Sequence, residues 1–199
     1  NPSTLRVSGR GRAAGWVGGI APRAVLGYQE EDCRKAFQAG HAAFMRNWPY
    51  AWSEAAAPGS PVAGMIGVAP LPRDREDTRP AACLGGWQLG VSAYSQHPDA
   101  AIAFVKYLSS PEVQRWRARV GSYLPAAREA YDDPALQANP VFKIMPEVLE
   151  QVVVRPSSRA REKYQAVSGV YQRGVAAILK GAEPKSRLRA IAKDLHQLK

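Results

Sequence analysis

Short apolar runs punctuated by glycine and proline, interleaved with stretches of helical period, predict an α/β fold for this 199-residue chain. Residues 42–46, 62–70 and 84–93 read as strands, because each is apolar and bounded by turn residues, and 152–154 is a short apolar run ending at an Arg-Pro step. Residues 98–121 read as a helix pair, and 157–179 and 184–198 as two closing helices. No internal repeat is visible.

Residues 1–12 are rich in Ser, Arg and Gly and show no clear period. Residues 13–17 read as the end of a helix stopped by Gly18-Gly19, and 22–28 as a connector. A helix is expected from Gln29, because Glu30, Glu31 and Asp32 load its first turn with charge that favours the helix dipole. Cys33, Ala36 and Phe37 share one face, and Gly40 suits the position just past the end. Residues 54–61 form a small polar loop, and the charged stretch 71–80, bounded by prolines, an exposed connection.

In the helix pair, Ala101, Phe104, Val105 and Leu108 repeat at helical spacing. Ser110-Pro111 is a capped start, Val113, Trp116 and Val120 are the expected buried face, and Gly121 is the stop. Asp133-Pro134 and Asn139-Pro140 each open a short helix. Leu188, Ile191, Ala192 and Leu195 form the inner side of the last helix.

Composition sets wide limits. Hydrophobic content of 46% and charged content of 22% suit a globular chain with a sizeable core. No apolar run has the length of a membrane span, and the opening Asn1-Pro2-Ser3 does not read as a signal peptide. The net charge of +10 is uneven: residues 155–199 hold eleven Lys or Arg against three Asp or Glu. Such an excess marks either a surface for nucleic acid or anionic membrane, or the solvated faces of two helices. No zinc knuckle, RNA-binding aromatic signature or glycine-rich phosphate loop accompanies it, so no nucleic-acid partner is expected. Cys33 and Cys83, without nearby histidines, make no metal site; one disulfide in an oxidising compartment is open to them, and two buried free thiols are the preferred reading.

Catalysis needs a nucleophile, base or metal constellation. His41, His97 and His196 are scattered, and no serine elbow or zinc-protease motif is present, so the chain is not expected to be an enzyme or to need a cofactor.

The chemistry concentrates in Phe44-Met45-Arg46-Asn47-Trp48-Pro49-Tyr50-Ala51-Trp52. In an extended backbone Trp48, Tyr50 and Trp52 share one face. Pro49 cannot donate to a ladder, so strand 42–46 is expected to break at Asn47 and turn its aromatics into a cleft. Core packing is the competing use of the same rings. Asn47 and Glu54 are polar candidates beside them, against turn capping for Asn47 and solvation for Glu54.

Taken in order, Phe37-Gln38-Ala39-Gly40, the 44–52 stretch, Pro70-Leu71-Pro72, residues 84–95, 99–114, Gly121-Ser122-Tyr123-Leu124-Pro125, Tyr131-Asp132-Asp133-Pro134 and Arg155-Pro156-Ser157 with Tyr164 resemble one family. It is the extracellular solute-binding proteins of carbohydrate ABC importers, of maltose/trehalose-binding type. The likeness runs from about residue 13 to 198, and the ordered series rather than any single motif carries it.

The resemblance implies a two-lobe, class II periplasmic-binding-protein architecture, of which this chain is the C-terminal portion. It places residues 1–70 in the second lobe, 71–80 at the crossing, 81–125 in the first lobe and 126–199 back in the second. The missing half would hold most of the first lobe, the signal peptide and several polar sugar ligands. It implies that Trp48 and Tyr50 stack on sugar rings, that Gly85, Gly86 and Trp87 line the cleft, and that Arg155 points to sugar hydroxyls, with a surface ion pair as its alternative. Trp52 and Trp116 are assigned to packing. The implied partners are a di- or oligosaccharide and the membrane subunits of an ABC permease, and the implied location is periplasmic or extracellular.

This chemistry is sound in itself. An aromatic ring covers the C–H face of a pyranose, removing apolar area from water at roughly 25 cal/mol per Å². Sugar hydroxyls need fixed partners, or about 1–3 kcal/mol per unsatisfied group cancels that gain. Backbone N–H groups beside glycines and the fork of an arginine are suitable donors.

Overall fold

The computed structural model describes residues 21–73 and 76–198. The helix expected over 13–17, and Trp16 within it, lie outside them.

Helices dominate, and short polar caps before prolines set many of their starts. Ser110 Oγ accepts the Val113 N–H at 3.3 Å, Asp133 that of Ala135 at 2.9 Å, and Asn139 that of Val141 at 3.0 Å. Glu183 accepts from Lys185 and Ser186. Each cap satisfies a backbone donor that the first turn leaves unpaired, and the following proline has no donor to lose. In order the helices are α1 (Glu30–Gln38), α2 (Ala51–Ala56), α3 (Pro98–Leu108), α4 (Pro111–Gly121), α5 (Pro134–Gln137), α6 (Pro140–Glu150), α7 (Ser157–Ala160), α8 (Tyr164–Leu179) and α9 (Pro184–Gln197). The connector before α1 contains a 3-10 turn, Arg23–Gly27. Gly40 ends α1 at φ 76°, with the His41 N–H returning to Ala36 O at 3.0 Å.

The described residues divide into two compact units, one within 34–153 and a second formed by 21–33 with 154–198. In the first, Ala118, Tyr131, Leu136, Val141, Phe142 and Met145 make the core, with Trp52, Val68, Ile144 and Val148 packed against it. The Tyr131 hydroxyl donates to Pro125 O at 3.0 Å, and burial pushes its pKa up to about 12. In the second unit α8 and α9 pack together at Gly174, where a Cβ would lie 2.2 Å from Ile191 Cδ1. Arg173, Lys180, Lys185, Arg189 and Lys193 are exposed, so much of the basic excess sits on solvated helix faces.

The structure corrects several expectations. No strand forms among the described residues; residues 42–46, 62–70 and 84–93 are turns or extended backbone outside any strand. The segment 152–154 contributes only an isolated parallel bridge, Val153 to Cys83, with Leu84 N–H to Val153 O at 2.9 Å and Val153 N–H to Ala82 O at 2.7 Å. A strand exists only beside a neighbour, and Gly85, Gly86 and Gly90 give 84–93 little β-propensity of its own. Gly64 at φ 75° instead turns the chain after Val62.

The apolar stripes on α3 and α4 are only partly covered among the described residues: Ala101, Val105, Leu108 and Val113 are half-buried. Phe104, Trp116 and Val120 are each about three-fifths exposed, so Trp116 is not a packing residue here. The face of α4 that is buried centres on Ala118. Of the expected inner face of α9, Ile191 is buried and Leu188 and Ala192 are exposed. Cys33 and Cys83 are not joined in a disulfide, and they are not both buried: Cys33 is half-buried and Cys83 exposed. Among the described residues no helix is long and apolar enough to cross a membrane.

Candidate functional site

The stretch 44–52 turns instead of running extended. The Ala51 N–H bonds to Trp48 O at 3.1 Å and the Trp52 N–H to Pro49 O at 3.0 Å. Tyr50 already has helical dihedrals, φ −56° and ψ −27°, and α2 follows at once. Proline before the helix presets its own φ, which favours this turn over a strand. The period-2 face is therefore lost, and the three aromatics separate. Trp48 and Tyr50 stay ahead of the helix, partly exposed, while Trp52 goes onto α2 and packs against the core.

The polar neighbours are used locally. Asn47 Oδ1 accepts the Trp48 N–H at 2.8 Å, and its amide reaches Met45 Sδ at 3.5 Å. Glu54 is an exposed partner of Arg34 at 3.7 Å.

A ring that sequence reasoning did not assign to the site joins Tyr50. Tyr123 stacks near-parallel with it, ring centroids 6.3 Å apart and planes 15° apart. The Arg117 guanidinium lies over the Tyr123 ring, 5.0 Å from its centroid. The backbone before Tyr123 explains the placement. α4 ends at Gly121, where a Cβ would come within 2.5 Å of the Tyr123 ring. Ser122 then takes a left-handed turn, φ 53° and ψ 28°. Its hydroxyl is fully buried, 2.6 Å from Ser53 Oγ, and accepts from Asn139 Nδ2 at 2.9 Å. Ser53 lies on α2 three residues after Tyr50, so this bond fixes the two tyrosine segments to each other. The visible signal was Gly121-Ser122-Tyr123, a helix stop followed by an aromatic.

The other expected site residues are placed differently. Gly85, Gly86 and Trp87 lie in the exposed 84–93 segment of the same unit. Trp87 is 98% exposed, and a Cβ on Gly86 would meet nothing within 4 Å, so the backbone makes no close approach there. Arg155 belongs to the second unit and is exposed, its carbonyl accepting the Ser157 N–H at 2.8 Å.

The chemistry of the cluster is that of a stacking surface with hydroxyl and guanidinium groups at hand, suited to a ligand with an apolar face and a polar rim. A separate open groove of about 400 Å³ beside α1 and α2 is lined by Lys35, Gln38, Glu54 and Ser60 without any aromatic. Among the described residues no group of three His, Cys, Asp or Glu could hold a metal ion.

The chain is similar to several known proteins. A probable ABC transporter-binding protein of Deinococcus radiodurans is 42% identical over 187 residues, 93% of this chain and 44% of that protein. A probable amino-acid ABC transporter periplasmic-binding protein of Sinorhizobium fredii is 30% identical over 118 residues, 59% of this chain and 26% of that one. Among solved structures, maltose-bound MalE3 of T. maritima matches with a TM-score of 0.83 at 38% identity, over 90% of this chain and 46% of that chain. This chain thus spans less than half the length of each of these proteins. Its fold is that of a MalE-type periplasmic binding protein over the matched part. The sequence profile of the bacterial extracellular solute-binding proteins covers residues 13–115, and the chain belongs to that family.

Proposed function

We propose that this chain is part of the carbohydrate-binding component of an ABC import system, working outside the cytoplasmic membrane and delivering a di- or oligosaccharide to its permease. It binds its ligand and does not transform it. Trp48 and Tyr50 stack on sugar rings, Gly85, Gly86 and Trp87 line the cleft, and Arg155 donates to sugar hydroxyls. The cleft lies between two lobes that close on the ligand. Residues 1–70 and 126–199 contribute to one lobe and 81–125 to the other, with 71–80 crossing between them. The observation that carries the reading is the Tyr50–Tyr123 stack with Trp48 two residues before Tyr50. Its support is the 38% identity to a maltose-bound structure.

The test is calorimetry of the intact binding protein against maltose, maltotriose, trehalose and a set of amino acids, the rival ligand class that the Sinorhizobium relative's name suggests. A sugar should bind, with affinity nearly independent of salt, since no ligand charge is involved. Trp87→Ala should weaken that binding while leaving unfolding within about 0.5 kcal/mol of wild type, as for a substitution at an exposed position. Tight binding of an amino acid with no response to any sugar sinks the proposal.

A further inference from the structure

We propose that Tyr123 is a positioning residue for sugar binding: it holds the plane of the Tyr50 ring, and Arg117, Gly121 and Ser122 hold Tyr123 in turn. The inference rests on the reading of Tyr50 as a stacking ring. A platform ring contributes affinity only if its plane is fixed before the ligand arrives, because ordering it on binding subtracts from the gain.

Tyr50 stands at the N-cap of α2, immediately before its first turn, so neighbouring side chains set the plane of its ring. Tyr123 supplies one, at 6.3 Å and 15°, and this displaced near-parallel arrangement is the favoured geometry for two aromatic rings.

Three features give Tyr123 a fixed position although it is nearly half exposed. Arg117 lies over its ring, a cation–π contact that restrains it. Gly121 provides the room, since a Cβ there would overlap Cε2 and Cδ2 of the ring at 2.5 and 2.7 Å. The buried Ser122 hydroxyl, bonded to Ser53 and Asn139, fixes the backbone from which the ring departs.

The experiment measures maltose and maltotriose affinity by calorimetry on the intact binding protein and on Tyr123→Ala, Tyr123→Phe and Gly121→Ala, with near-ultraviolet circular dichroism and thermal melting alongside. Tyr123→Ala should weaken binding roughly three- to tenfold, the worth of one aromatic pair, and reduce the tyrosine dichroism. Tyr123→Phe, which keeps the ring, should recover most of the lost affinity. Gly121→Ala keeps both tyrosines but displaces one, so it should also weaken binding, and it decides the matter if Tyr123→Ala does not fold. If wild type binds neither sugar, the carbohydrate reading falls and this inference with it. If wild type binds and both Tyr123→Ala and Gly121→Ala match it, the positioning role alone is refuted. Equal loss in Tyr123→Phe and Tyr123→Ala refutes it too, since the hydroxyl and not the ring would then matter.

Discussion

Ser122 allows a prediction in which two substitutions at one position must fall in a set order. Its side chain is fully buried, and its hydroxyl is the shared partner of Ser53 Oγ at 2.6 Å and Asn139 Nδ2 at 2.9 Å. Its backbone is left-handed at φ 53°. Ser122→Ala removes both hydrogen bonds and leaves two half-buried polar groups seeking water. At about 1–1.5 kcal/mol per bond, the expected loss is about 2–3 kcal/mol. The strained backbone stays, because alanine has the same Cβ as serine. Ser122→Gly loses the same bonds but relieves the left-handed strain of about 1–2 kcal/mol, less the extra entropy glycine loses on folding. The net recovery is roughly 0.5–1 kcal/mol. Wild type should therefore be most stable, glycine intermediate and alanine least. Urea unfolding of the intact binding protein, followed by the fluorescence of Trp52 against the neighbouring core, measures all three. Wild-type stability for Ser122→Ala would show that the two hydrogen bonds do not anchor this turn, and a glycine variant less stable than the alanine one would refute the relief of left-handed strain.

Two pH dependences follow from the same unit. The Tyr131 hydroxyl, held neutral by burial, has a folded pKa of about 12 against about 10 when unfolded. Its contribution is whole below about pH 10 and is lost as pH rises through the folded value. Tyr131→Phe should remove that alkaline decline and cost about 1 kcal/mol at neutral pH through the missing bond to Pro125; stability that falls as steeply with pH in the variant contradicts this. Asp133 is held below the usual carboxylate range by its hydrogen bond from Arg119 at 2.6 Å and by the Ala135 N–H. The stability it contributes is present above about pH 4 and lost as pH falls through the lower folded value. Asp133→Asn should flatten that acid limb, and an unchanged acid-unfolding midpoint argues against the Arg119–Asp133 pair as its source.

What could be read from sequence was what is decided within a few residues. Ser110-Pro111, Asp133-Pro134 and Asn139-Pro140 announce helix starts because cap, proline and first turn are contiguous. Gly40 and Gly181 announce ends because their positive φ is needed there. The strands failed because a ladder depends on a neighbour the local sequence does not specify. The alternation of Trp48, Tyr50 and Trp52 fitted an extended chain equally well until Pro49 and Tyr50 entered a turn, and this split the group between surface and core. Phe104 and Trp116 carry a helical apolar period that states a need for burial, not its fulfilment. In the site, Trp48 and Tyr50 were visible as exposed-capable aromatics. Tyr123 was not assigned, because its link to Tyr50 passes through Ser53 and Ser122, which stand 69 residues apart.

The near-complete exposure of Trp87 has a calorimetric consequence. An indole that starts in water has its full hydration shell to lose. Covering about 200 Å² of it releases that water and lowers the heat capacity by about 0.1 kcal/mol/K. A ligand or partner that settles on Trp87 must therefore show a binding enthalpy that grows more favourable on warming, with a slope that Trp87→Ala diminishes. One that binds elsewhere on this chain gives the same slope with and without the indole. The temperature coefficient of the heat, more than its size, thus reports whether this ring has left solvent.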